Sequence, residues 1–217
     1  MIQQITTYFS EHGAEWVQMV IDHLAISGMA LAAALAIAVP LGILCSQHAW
    51  SEQLATGTAG VLRVIPSLAI LIICVPYLGV GTVPAVAALT ILAIPPILIN
   101  TAVALMSVPA DAIEAGVGMG MSPLRLWLTV KAPLAFPLAF SGVRTAASEI
   151  IASATLAAYI GAGGLGILIY TGLGALRNDL LWIGGISVAM LSLIVNRVLA
   201  MVDRRIRAYE RVGSSAR

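Results

Sequence analysis

Polar side chains recur along one apolar stretch of the sequence, which ends at Ala158. Their neighbours are mostly Ala, Val, Leu and Ile, and the polar members are Ser141, Arg144, Thr145, Ser148, Glu149 and Thr155. Ionisable groups at membrane depth are rare and by default mark functional sites. At about 100° per residue, all but Glu149 fall within about a third of a helix circumference, and Glu149 lies just beside them. The pattern predicts a helix face that lines a translocation pathway or a subunit seam.

Arg144 and Glu149 are the charged members of this face. They are five positions apart and point about 140° away from each other, so they are poorly placed to pair within one helix. We expect each to find a partner on another helix or on a second subunit, and Arg63 is a candidate for Glu149. The alternative is a buried ion pair that only fixes packing.

The amino-acid composition indicates whether this helix is surrounded by water or by lipid. The chain has 217 residues, of which 60% are hydrophobic and 10% charged. A soluble domain is about 45–50% apolar and about 25% charged, so a soluble enzyme, a disordered chain and a nucleic-acid-binding protein are all excluded. Cys45, Cys74 and three scattered histidines form no metal-ligand spacing, and no metal is expected. The sequence predicts an all-α integral membrane protein.

Five windows are long and apolar enough to cross a bilayer, which takes about 20 residues. They are Leu24–Cys45, a span within Leu54–Leu78, Thr82–Met106, Pro133–Ala158 and Leu181–Val202. With the N-terminus outside, the inner segments hold most Lys and Arg of the loops and tail: Arg125, Lys131, Arg204, Arg205, Arg207, Arg211 and Arg217. The outer segments hold only Arg177, so the positive-inside rule predicts N-out and C-in.

This orientation divides the chain into a membrane domain and two ends. Residues 21–203 form the transmembrane domain, and residues 204–217 form a basic cytoplasmic tail that suits anionic lipid. Residues 1–20 lie on the outer surface and carry apolar side chains at roughly helical spacing. They form either an interfacial helix or a solvated lead-in.

The longest inner segment, residues 107–132, predicts two short helices. Pro109 and Asp111 suit a first turn, and Glu114 three residues later resembles a capping box. After several glycines, Ser122 and Pro123 suit the N-cap and first residue of a second helix over 124–130. A small loop with few charges that faces the cytoplasm favours docking into another protein.

Four glycines follow the polar helix on the outer side: Gly161, Gly163, Gly164 and Gly166. Glycine permits sharp turns and close backbone approach. The segment is predicted to be an outer gate or a contact for a binding protein, with a flexible outer loop as the alternative.

The inner loop resembles the EAA loop of ABC importer permeases, whose pattern is E-A-A, three residues, G, nine residues, I, any residue, L-P. The matching positions are Glu114, Ala115, Gly120 and Pro133, and the pattern departs at Gly116, Val130 and Ala132. Residues 161–166 are similar to a glycine segment of the same permeases. Further stretches, among them residues 65–68, 79–85, 118–121, 142–146 and 154–158, resemble the osmoprotectant importers for glycine betaine, choline and carnitine.

The resemblance implies a type I ABC importer permease in the bacterial cytoplasmic (inner) membrane. It implies three kinds of partner: cytosolic ATPase subunits that bind ATP and Mg²⁺, an external substrate-binding protein, and a second permease chain, identical or paralogous. This chain itself would hold no cofactor and is not an enzyme. The residues expected to contact the ATPase are Glu114, Ala115, Gly116, Gly120, Met121, Ser122 and Pro123.

Two other functions stay open from the sequence. A permease for a small amino acid such as methionine shares the EAA and glycine elements. An ion-coupled secondary transporter is the rival from another class, but it usually has two repeated halves.

Overall fold

The computed structural model describes residues 2–47, 57, 60 and 65–206, and this part of the chain is helical with no strand. The α-helices run in the order α1 Ile2–Cys45, α2 Ser67–Leu78, α3 Thr82–Met106, α4 Ala110–Gly118, α5 Pro123–Leu126, α6 Ala132–Ala157, α7 Gly166–Gly174 and α8 Asn178–Ile206. The prediction of an all-α protein is confirmed for these residues.

Four helical stretches of the described residues are long and apolar enough to cross a membrane: Gln3–Cys45, Thr82–Met106, Pro123–Ile160 and Asn178–Arg205. They contain four of the five predicted spans. The helix α2 is apolar but has only 12 residues. It forms the end of the window Leu54–Leu78, most of whose beginning lies outside the described residues.

The first helix joins the N-terminal segment to the first predicted span. Its backbone leaves helical geometry at His12 (φ −121°, ψ 18°), which separates a short N-terminal part of α1 from a longer part. Trp16 Nε1 donates to Ser187 Oγ at 2.9 Å, so the region just after His12 is tied to α8. The position of this segment on a membrane surface stays a prediction.

Helix α3 lies at the centre and packs against both α1 and α6. Small residues make these contacts, since Ala30, Ala34 and Ala38 of α1 have no exposed surface. Gly142 of α6 faces the Pro96 carbonyl, and a Cβ on this glycine would lie only 2.5 Å from that oxygen. Small side chains let membrane helices approach backbone to backbone, which explains the close packing.

The inner loop forms the two predicted helices, with one correction to the first. The capping box is wrong, because Pro109 is the N-cap of α4 and offers no side-chain acceptor. Asp111 lies inside the first turn, as predicted, where its charge favours the helix N-terminus. The Ser122 prediction is confirmed, since its side chain accepts from the backbone N–H of Arg125 at 3.4 Å.

The second loop helix differs from its predicted form. Only Pro123–Leu126 is α-helical, and Trp127–Lys131 forms a π-helical turn that continues into α6. Pro133 cannot donate to the carbonyl four residues earlier, and its ring crowds that carbonyl. A wider turn before the proline relieves this conflict, and such turns are frequent at functional sites.

Candidate translocation and coupling sites

Residues of the predicted polar face line a cleft on α6. Ser141, Arg144, Thr145, Ser148 and Glu149 line a space of ≈ 440 Å³, together with Asn196 of α8. Thr155, the sixth predicted residue, does not line it. That residue lies farther along α6, where its backbone carbonyl contacts Gly166.

Arg144 has its partners on another helix, as the sequence predicts. Its Nη1 lies 3.3 Å from Asp203 Oδ2, and its Nη2 donates to Asn196 Oδ1 at 3.1 Å. Asp203 is only 6% exposed. A buried carboxylate needs a paired cation, so the two residues compensate each other's charge between α6 and α8. The proposed partner of Glu149, Arg63, lies outside the described residues.

The hydroxyl groups of the face bond partly to their own helix. Thr145 Oγ1 donates to the Ser141 carbonyl and Ser148 Oγ donates to the Arg144 carbonyl, both at 3.1 Å. Ser141 Oγ also lies 3.2 Å from Asn100 Oδ1 of α3. Each hydroxyl keeps lone pairs that can accept from water or a solute. The cleft is therefore polar, and its internal hydrogen bonds leave acceptor positions available to water or a solute.

Sequence reasoning missed Asp203 as a member of this site. A signal for it exists, because Asn196 and Asp203 are seven residues apart and so lie on one face of α8. The neighbouring Arg204 and Arg205 suggest a uniformly basic segment, so Asp203 was not assigned to the polar face. Of the described residues, no group of three or more His, Cys, Asp and Glu is placed to hold a metal ion.

The residues of the predicted coupling loop lie together at one end of the molecule. Glu114 and Ala115 are exposed on α4, whereas Gly116 is buried against Leu126 of α5. Gly120 has φ +74° and turns the chain, and the Met121 N–H donates to the Gly116 carbonyl at 3.1 Å. Large apolar side chains surround this turn and are exposed: Val117, Met119, Leu124 and Leu128. An exposed apolar patch of this kind is typical of a protein contact.

The glycine segment packs against α1 near Asp22 and His23. Gly161, Gly163 and Gly164 have φ of +79°, +91° and +79°, a conformation that other residues adopt only with strain. Gly164 is buried against His23, which is itself fully buried. His23 Nε2 lies 3.0 Å from the Ile151 carbonyl of α6. His23 was missing from the predicted site, and it joins α1, α6 and the glycine segment.

A helical bundle with a polar cleft and an exposed apolar loop suits a subunit of a transport system. The sequence matches the family described as "Binding-protein-dependent transport system inner membrane component" over residues 38–208. The chain belongs to this family and is an integral membrane permease subunit, a transport component rather than a catalytic one.

The relatives narrow this class to the permeases of osmoprotectant importers. The chain is 42% identical to the carnitine transport permease OpuCB of Listeria monocytogenes, over 93% of each chain. It is 34% identical to the choline transport system permease OpuBB of Bacillus subtilis, over 94% of each chain.

Solved structures of ABC transporters share the fold. The methionine transporter MetNI in an inward-facing conformation matches with a TM-score of 0.77 at 21% identity, over 88% of this chain and 95% of that chain. An amino acid ABC transporter matches with a TM-score of 0.74 at 16% identity, over 90% and 96%. At this identity the likeness concerns the fold, which is that of an ABC importer permease.

Proposed function

We propose that this chain forms the translocation pathway of an ATP-driven importer for a small compatible solute with a quaternary ammonium group. Glycine betaine, choline and carnitine are the candidates. The observation that carries the proposal is the 42% identity, over 93% of each chain, to a permease named for carnitine transport. ATP and Mg²⁺ would bind to separate cytosolic ATPase subunits. An external binding protein and a second permease chain would complete the transporter.

The polar cleft on α6 is the proposed pathway surface. Its hydroxyl groups and the charged groups of Arg144 and Glu149 offer a solute alternatives to water without binding it tightly. Near the outer end of α6, the rings of Tyr159 and Tyr170 lie 5.7 Å apart. Aromatic faces attract quaternary ammonium groups, which supports entry of such a solute at this end.

The coupling loop would transmit movement of the ATPase to the pathway. The support is its location, since α5 continues through the π-helical turn directly into α6, which carries the cleft. The glycine segment would gate the outer end of the same helix. We place the permease in the bacterial inner membrane with five spans, the N-terminus outside and the C-terminus inside.

Uptake of labelled solute tests the function. Cells that lack their own osmoprotectant importers should accumulate glycine betaine, choline or carnitine under salt stress when this chain is expressed with its transporter partners. Replacement of the Walker lysine in the ATPase should abolish this uptake. Uptake that continues without ATP hydrolysis would instead indicate an ion-coupled secondary transporter.

Glu149→Gln tests the pathway role of the cleft. The change keeps the size of the side chain and removes its charge, so uptake should fall severalfold while the amount of protein in the membrane stays the same. Immunoblots and initial uptake rates measure the two quantities. Unchanged uptake together with reduced expression would assign Glu149 to packing alone.

A further inference from the structure

A second polar cleft, distinct from the one on α6, lies between the start of α1 and the helices α7 and α8. Its volume is ≈ 690 Å³. Residues of α1 form one wall, Thr171 of α7 contributes to the other, and Arg177 lies in the connection to α8. The α1 side chains that matter for the argument are Tyr8, Glu11, His12 and Glu15.

The wall formed by α1 is negatively charged. Glu11 and Glu15 lie on either side of the break at His12, yet both line this cleft and both are exposed. Neither carboxylate has an ion pair or hydrogen bond within the part of the chain that the structure describes. Two like charges that line one cleft repel each other, and a cation between them would remove the repulsion.

Tyr8 gives independent support for a ligand. Its side chain is only 8% exposed, and its hydroxyl oxygen is buried with no hydrogen-bond partner. A buried hydroxyl without a partner costs free energy, which a ligand in the cleft can recover. The ring stacks on that of His12 with centroids 5.2 Å apart, so the carboxylates lie beside an aromatic surface.

The opposite end of the cleft is positively charged. Arg177 donates from Nε and Nη2 to the buried Asp179, at 3.2 and 2.5 Å. The hydrogen bonds and the charge of Asp179 raise the pKa of Arg177. Its Nη1 makes no hydrogen bond in the described part, and the side chain is 54% exposed, so an anionic group can reach it.

We propose that this cleft binds a small solute that carries both an ammonium group and a carboxylate. The ammonium group lies against Glu11, Glu15 and the ring of Tyr8, and the carboxylate accepts from the Tyr8 hydroxyl and Arg177. The inference rests on the proposed function for the class of solute, and it adds a binding site outside the pathway. A bound solute would bridge α1 and the connection between α7 and α8.

Glycine betaine is the probe for this site. The full-length chain is placed in nanodiscs of phosphatidylglycerol, and binding is measured by calorimetry without any binding protein. Saturable binding is expected. Tyr8→Phe and Glu15→Gln should each weaken it about fivefold, the effect of one lost hydrogen bond or charge contact. Choline, which lacks the carboxylate, should bind more weakly than glycine betaine.

Matched controls keep the result specific to the cleft. Tyr77→Phe removes the hydroxyl of a tyrosine at the end of α2 that is 84% exposed, and Asp111→Asn removes a carboxylate in the inner loop. Both should bind glycine betaine like the unaltered chain. Tyr8→Phe should also keep the thermal stability of the protein, because the hydroxyl that it removes has no partner.

Nanodiscs that contain phosphatidylethanolamine distinguish the source of the ligand, since its headgroup also joins an ammonium to an anion. Unchanged affinity for glycine betaine supports the free solute, whereas loss of binding assigns the cleft to lipid and overturns the proposal. Absent binding to the unaltered chain, or equal binding by Tyr8→Phe and Glu15→Gln, overturns it as well. Uptake in cells is measured separately, so failure of the cleft alone leaves the proposed function intact.

Discussion

Arg144 shows how a single charge is accommodated within the helix bundle. Its guanidinium bonds to Asn196 at 3.1 Å and to Asp203 at 3.3 Å, both on α8. Arginine presents several donors in a fixed planar arrangement, which lets one side chain hold two acceptors. The same side chain lines the α6 cleft, so the residue that fixes α8 also contributes to the proposed pathway.

A double-mutant cycle tests the Arg144–Asp203 pair. Arg144→Gln and Asp203→Asn should each lower the free energy of unfolding by about 1–3 kcal/mol, because each removes one side of the charged contact between α6 and α8. The double variant should lose clearly less than the sum of the two. Thermal unfolding of the purified permease measures these changes, and additive losses would show that the pair is not coupled.

Gly164 combines a left-handed backbone (φ +79°) with close packing against His23. A Cβ at this position would lie 3.1 Å from His23 Nδ1 and 3.3 Å from His23 Cα. Gly164→Ala should reduce uptake and stability more than Gly161→Ala, which has the same φ of +79° but open space around it. Both variants carry the cost of a left-handed backbone, about 1–2 kcal/mol, so the difference between them measures the contact with His23. Equal effects would exclude a role for that contact.

The close contact between α3 and α6 lies at Gly142 of α6, which faces the backbone of α3. A Cβ on Gly142 would lie 2.5 Å from the Pro96 carbonyl and 2.6 Å from Asn100 Cβ. Asn100 Nδ2 donates to the same carbonyl at 2.8 Å, so the oxygen that Gly142 faces is satisfied within α3. The contact therefore fixes the position of the helix that carries the polar cleft.

Gly142→Ala should destabilise the protein by about 1–3 kcal/mol, the usual cost of overpacking. Gly28→Ala in α1 is the matched control, because no atom lies within 4 Å of its added Cβ. That change should be neutral or slightly stabilising, as alanine is the better helix former. Thermal unfolding of both variants in the same lipid gives the comparison, and similar results would contradict the proposed close packing.

Long apolar runs made most helices predictable from the sequence. Thr82–Met106 matches α3 at both ends, and α6 begins one residue before the predicted Pro133 and ends one residue before Ala158. The capping box failed because proline took the N-cap, which a pattern of acidic residues does not reveal. The π-helical turn was missed since it depends on the local fit of Pro133, not on periodicity.

The polar face was predictable, but its partners were not. Helical periodicity placed Arg144 and Ser148 on one side of α6, and both line the cleft. The link to Asp203 joins residues 59 positions apart. Its formation depends on the rotation and depth of α8 against α6, which hydropathy does not determine. His23 and Gly164 meet for the same reason, through packing between distant segments.

At the scale of the whole molecule, the prediction to test first is the orientation of the chain in the membrane, with the N-terminus outside and the C-terminus inside. With Cys45 and Cys74 replaced by alanine, Ser10→Cys should react with an impermeant maleimide in intact cells, and Met119→Cys should react only after lysis. Both positions are exposed, so accessibility of the side chain does not limit the reaction. Labelling of Met119→Cys in intact cells would reverse the predicted topology.

The contacts of α3 with α1 and α6 have a mechanical consequence. Alanine and glycine at these contacts bring the helix backbones close together, and larger side chains of the same core, such as Leu89 and Ile97, are fully buried and held in place. We therefore expect α1, α3 and α6 to travel as one rigid body. Access to the two sides of the membrane would then alternate by displacement of this body against the second permease chain, with its internal distances unchanged.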